Sequence, residues 1–148
     1  MKYTEAKFNR VFILRLEDGD IIHETIEKFA KEKNIKSAVV ILLGGADKDS
    51  KLVVGPKESR AAKIEPMEYI LNNAYEMLGV GTIFLDEKNE PILHLHISAG
   101  REAQTITGCI RLGVKTWYIG EVIIIELTDC KVIRKYDTDT GFKLMTPI

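Results

Sequence analysis

One stretch of this chain repeats its apolar residues cleanly at helical spacing, and nearly everything else comes in short β-branched runs broken by turns. Between residues 21 and 33, Ile22, Ile26, Phe29 and Ala30 fall at i, i+4, i+7 and i+8. That is a single helical stripe, with Glu24, Glu27, Lys28, Lys31 and Glu32 on the opposite face. Asp20 suits the N-cap and Asn34 the C-terminal end. The remaining runs are 11–16, 37–43 (closed by Gly44-Gly45), 51–54, 77–85, 92–99, 105–112, 120–127 and a last one near 142–145. Their length and β-branched content mark them as strands. Gly79 and Gly81 permit a bulge or a close neighbour in their strand. Residues 57–66 read as an exposed loop and 86–90 as a hairpin loop, while 67–75 fit either a helical turn or a strand. About seven strands, one main helix and a short second helix predict an α+β fold with a largely antiparallel mixed sheet.

Chain length and composition narrow the function classes. A chain of 148 residues fits one domain spanning 1–148. No apolar run reaches the roughly 18 residues of a membrane helix. The first residues lack the apolar core of a secretory signal, so a cytoplasmic protein with no membrane partner is expected. Cys109 and Cys130 then read as reduced thiols. The formal net charge of −1 supplies no global positive field for a polyanion. Lys131, Arg134 and Lys135 form the densest basic cluster, but Asp129, Asp137 and Asp139 interleave with it, and the sequence reads as a solvated face.

The chemistry concentrates at His94 and His96. Residues i and i+2 of a strand point to one face, so the two imidazoles project side by side and can share a cation. If the strands around 92–99 and 105–112 pair as a hairpin about residues 100–104, residues near 94–96 oppose residues near 107–109. That register offers Cys109 as a third ligand. Two histidines and a cysteine with one position left over make a zinc site of the open kind. A His-x-His pair also serves simply as polar residues on a solvated or subunit-facing surface. His23, in the first helical turn and off the apolar stripe, reads as a surface residue. Ser98 shares the histidine face and can hydrogen-bond locally.

Other constellations fall short of a motif. The segment from Leu43 to Asp49 is glycine-rich but lacks the spacing and the Lys-Ser/Thr of a phosphate loop. Gly79-Val80-Gly81 leads into a strand, so no helix N-terminus faces a pyrophosphate. Ser37, Ser50, Ser59 and Ser98 have no nucleophile-elbow context. Only Glu76, Glu102 and Glu121 among the carboxylates lie where they could approach the histidine strand, and Glu121 opens an otherwise apolar strand.

The order and spacing of these features, from Arg15 to Gly141, resemble the plants-and-prokaryotes-conserved (PPC) family in its stand-alone prokaryotic form, related to a domain of plant AT-hook nuclear proteins. The resemblance rests on Arg15 with Gly19-Asp20, Ile35-Lys36-Ser37-Ala38 after the helix, Gly44-Gly45-Ala46, and Glu76-Met77-Leu78-Gly79. It rests above all on Pro91-Ile92-Leu93-His94-Leu95-His96, followed by Thr107-Gly108-Cys109-Ile110 and Glu121. It implies an α+β fold assembled as a homotrimer, with the two strand histidines converging on a third His, in some members around a metal. Cys109 stands where the family carries that third His, and thiolate keeps the capacity to bind zinc. In the plant proteins DNA binding is attributed to a separate AT-hook with an Arg-Gly-Arg core, a tripeptide this chain lacks. The resemblance therefore implies a trimeric binding or regulatory module, with DNA association weakly supported and a zinc held by His94, His96 and Cys109. The alternative is a zinc-dependent enzyme or small-molecule binder on the same three residues, with Glu102 or Glu121 as base.

Overall fold

A computed structural model describes all 148 residues. Its elements, in chain order, are β1 (Lys7–Leu16), α1 (Ile22–Glu32), β2 (Ser37–Ala46), β3 (Lys51–Pro56), β4 (Pro66–Ile70), β5 (Tyr75–Leu85), β6 (Pro91–Arg101), β7 (Gln104–Cys109), β8 (Thr116–Thr128), β9 (Val132–Tyr136) and β10 (Lys143–Pro147). The main sheet has eight strands rather than seven, in the order β1-β8-β2-β5-β6-β7-β3-β4, and β9 and β10 form a separate two-stranded sheet. Every pairing between these strands is antiparallel, apart from a single parallel bridge between Asp86 and Arg134, which corrects the expectation of a mixed sheet. There is no second helix: residues 66–70 pair with β3 as the edge strand β4. A helical turn there would have left the edge backbone of β3 unpaired. No helix is long and apolar enough to cross a membrane.

The helix buries the stripe its spacing foretold. Ile22, Ile26 and Ala30 are fully buried, and Phe29 packs at the margin of the core. Its start differs from expectation. The N-cap is Ile21, without a side-chain cap, while the Asp20 carboxylate accepts the backbone N–H of Glu17 at 2.9 Å and stabilises the preceding turn. The Ile22 N–H, left over at the helix start, donates to the Val114 carbonyl at 3.0 Å. At the other end Asn34 adopts a left-handed conformation (φ 53°). The N–H of Ile35 reaches the Ala30 carbonyl and that of Asn34 the Lys31 carbonyl, closing the helix as a Schellman motif.

Strict alternation divides the sheet into two faces. On β6, Leu93, Leu95, Ile97 and Ala99 point into the core beneath α1, against Leu42, Met77, Ile83 and Ile124. Ile92, His94, His96 and Ser98 therefore point outward. Gly79 and Gly81 of β5 sit on the inner face, where a Cβ at Gly79 would lie 2.7 Å from Ile97 and one at Gly81 would lie 2.6 Å from Leu95. Of the two readings of these glycines, the structure shows the close neighbour, because β5 and β6 pair without a bulge.

Candidate metal centre

The centre is a product of strand register. β6 and β7 are joined through the turn at Glu102-Ala103, and Arg101 pairs with Gln104. This turn is tighter than the five-residue connection expected, because both strands extend into it and Glu102 takes a left-handed conformation (φ 56°). Counting back from the turn sets His96 opposite Cys109 and Ser98 opposite Thr107. Cys109 is also the register partner of Val53 on β3, so its thiol is enclosed from both sides and buried.

The three expected ligands come together. Nε2 of His94 and Nε2 of His96 are 3.0 Å apart, their rings meeting edge-on with centroids 4.9 Å apart. The ligand atoms of His94, His96 and Cys109 all lie within 4.8 Å of one another. Two nitrogens at zinc-bond length and the tetrahedral angle would be roughly 3.3 Å apart, so small side-chain rotations close the set around one ion. One imidazole can donate to the other, yet both ring nitrogens aimed at one point suit a shared cation equally well.

Electrostatics favour the ligand form of both histidines. Burial lowers the pKa of His94, and the positive charges of Arg134, His96 and Arg111 lower it further. Burial followed by Arg111 lowers that of His96. Neutral imidazole is the form that binds a metal.

The carboxylates named as potential bases lie away from the centre. Glu76 is on the histidine face but pairs with Gly100, four residues along β5 from Val80, the partner of His96. At strand rise that is roughly 13 Å. Glu121 lies on β8, with β2 and β5 between it and β6, and Glu102 is in the hairpin turn beside Arg101. Ser98 donates to or accepts from Thr107 at 2.9 Å, a local contact one row from the histidines. His23 is half-buried rather than a surface residue, its Nδ1 enclosed without a partner. Both cysteines are free.

Lys131 and Lys135 are exposed, as a solvated face requires, but Arg134 is not part of it. Arg134 lies on β9 and is only 4% exposed. Its Nη2 donates to the Thr82 hydroxyl at 2.8 Å, and Thr82 is the register partner of His94. The guanidinium also covers the Phe84 ring, 5.5 Å from its centroid. The signal was there in alternation: Val132 and Arg134 share one side of a short β-branched strand, and both are buried. The dense charge around them masked it.

Comparison with known proteins follows the same lines. The sequence model of the Plants and Prokaryotes Conserved domain matches residues 3–128. Among solved structures, a metal-containing protein from Archaeoglobus fulgidus superimposes with a TM-score of 0.85 at 23% identity, covering 99% of each chain. A plant- and prokaryote-conserved protein from Pyrococcus horikoshii gives 0.84 at 23% identity, covering 100% of this chain and 99% of the other. A candidate DNA-binding protein from Ralstonia eutropha JMP134 gives 0.70 at 20% identity, over 92% and 90% of the two chains. No curated protein matches the sequence.

Proposed function

The chain belongs to the Plants and Prokaryotes Conserved domain family, and from that premise we propose that it is a trimeric, zinc-binding module whose metal is held by His94, His96 and Cys109. The observation that carries the reading is the convergence of three ligand atoms within 4.8 Å on adjacent strands. Two imidazoles and a thiolate are a zinc-type donor set, and three protein ligands leave a fourth position open. The metal-containing relative from Archaeoglobus supports a metal in this fold. Residues 1–148 act as one domain in this reading, because the β9–β10 sheet is tied to the main sheet by Arg134 on Thr82 and by Lys143 on Asp86 at 2.8 Å.

The open position suits a binding or regulatory role better than hydrolysis. An activated water needs a nearby group to take its proton, and none of Glu76, Glu102 and Glu121 reaches the cluster. DNA association, raised by the Ralstonia neighbour, is the weaker reading, since the net charge of −1 offers little to phosphates.

Elemental analysis of purified protein tests the site. One zinc per chain is expected in the wild type and none in His96→Ala. Zinc absent from the wild type, or retained in the variant, overturns the assignment. Chelation is expected to lower the melting temperature, since a ligand bound only by the folded state stabilises it.

A further inference from the structure

Two arginines flank the histidine cluster, and neither forms an ion pair with a carboxylate. The Ile110 N–H donates to the Leu95 carbonyl at 3.2 Å, carrying the β6–β7 ladder one step past Cys109 and setting Arg111 across from His94. Arg134 approaches from the other side of β6, fixed by Thr82. Its Nε and second Nη2 contact go to the backbone carbonyls of Ile92 and Thr82, both at 3.4 Å, and Nη1 donates to nothing in the chain. A buried guanidinium without a counter-ion is costly.

The charge around the site is therefore unbalanced. A divalent ion with one thiolate and two neutral imidazoles keeps one positive charge, and the arginines add two more. A cleft of about 410 Å³ opens alongside, lined by Val53, the partner of Cys109, and by Arg111 with Lys63 and the rings of Tyr136 and Phe142. Asp139 is the one acidic residue on its wall. Arg111 lies over the Phe142 ring, 5.9 Å from its centroid, so the guanidinium is held at the boundary between cleft and cluster.

Resting on the zinc reading above, we propose that the centre binds a small anionic molecule whose terminal oxyanion group, a carboxylate or a phosphate, takes the open metal position between Arg111 and Arg134 while its body lies in the cleft. The arginine fork matches either oxyanion. Arg134 is only 4% exposed, which favours a small ligand that enters through the cleft over a phosphate held on a duplex.

Calorimetric titration of this chain with acetate and with inorganic phosphate, at fixed ionic strength, tests this. Saturable binding of one of them to zinc-loaded protein is expected, weakened about tenfold or more in Arg111→Gln and in Arg134→Gln at unchanged zinc content, as loss of a charged hydrogen bond implies. The tighter of the two names the oxyanion class. Arg111 is exposed, so its variant remains informative should Arg134→Gln fail to fold. Full zinc occupancy with no binding of either anion, or with equal affinity in Arg111→Gln, overturns the proposal while leaving the metal site standing. A chain that takes up no zinc fails the metal reading and this proposal with it.

Discussion

Gly81 shows how little room the site allows. Its Cβ would lie 2.5 Å from the His94 carbonyl oxygen and 2.7 Å from the Leu95 Cα, both backbone atoms that cannot rotate aside. Gly81→Ala must therefore push β6 away from β5, at about 1–3 kcal/mol for overpacking of this kind. Thermal melting should register the loss, and zinc content should fall with it, because the displaced strand carries both histidines. An unaltered melting temperature would mean the strands are not this close. At this scale the sequence was informative where geometry is local. Alternation alone places His94 and His96 on one face, and a short hairpin brings Cys109 opposite. Arg134 and Arg111 were not legible as neighbours of the site, because what brings them there is a third strand and a ladder extended past the hairpin, neither of which leaves a periodic trace.

Among the elements, the edge strand β1 depends on one buried carboxylate. Glu126 of β8 accepts hydrogen bonds from Arg10 Nε at 2.6 Å, Arg10 Nη2 at 2.7 Å and Asn9 Nδ2 at 2.8 Å, all across the bulge where β1 shifts register between Phe8 and Val11. The hydrogen bonds from Arg10 hold the Glu126 pKa below its ordinary value, against burial. A carboxylate with a depressed pKa in the folded state contributes stability above its unfolded pKa and loses it as pH falls through the folded one. Wild type should therefore melt higher than Glu126→Gln at neutral pH, and the two melting curves should converge in acid. A gap that persists in acid would assign the contribution to packing instead. The strands themselves were legible because each run was β-branched and closed by turn residues. Residues 66–70 and 132–136 were not: Met67 and Ile70 are exposed on an edge strand, where only pairing with β3 decides strand over helical turn, and the charges around 132–136 concealed a strand there.

For the molecule as a whole, the face of the sheet that α1 leaves uncovered is strongly apolar. Ile13, Ile123, Ile41, Val80, His96 and Cys109 lie side by side across six strands, from the exposed edge to the His-His-Cys cluster. In the next row Leu43 is 48% and Leu78 61% exposed, and in the first Val80 is 61% and Ile13 83% exposed. Monomers seldom keep a continuous apolar surface of this kind in water. The trimer implied by the family resemblance would cover it and would enclose the histidines at the end of the row. Light scattering should report a mass three times that of the chain, and Leu78→Glu, which sets a charge in the middle of the face, should reduce it to that of one chain. The Leu78 side chain points away from the core, so the folded monomer should survive with its circular dichroism unchanged. A trimer untouched by Leu78→Glu would move the interface elsewhere. A wild-type monomer would leave this apolar face to a different partner. If the variant monomer retains zinc, the three ligands of one chain suffice; if it loses zinc, assembly completes the site, which the geometry of His94, His96 and Cys109 within one chain argues against.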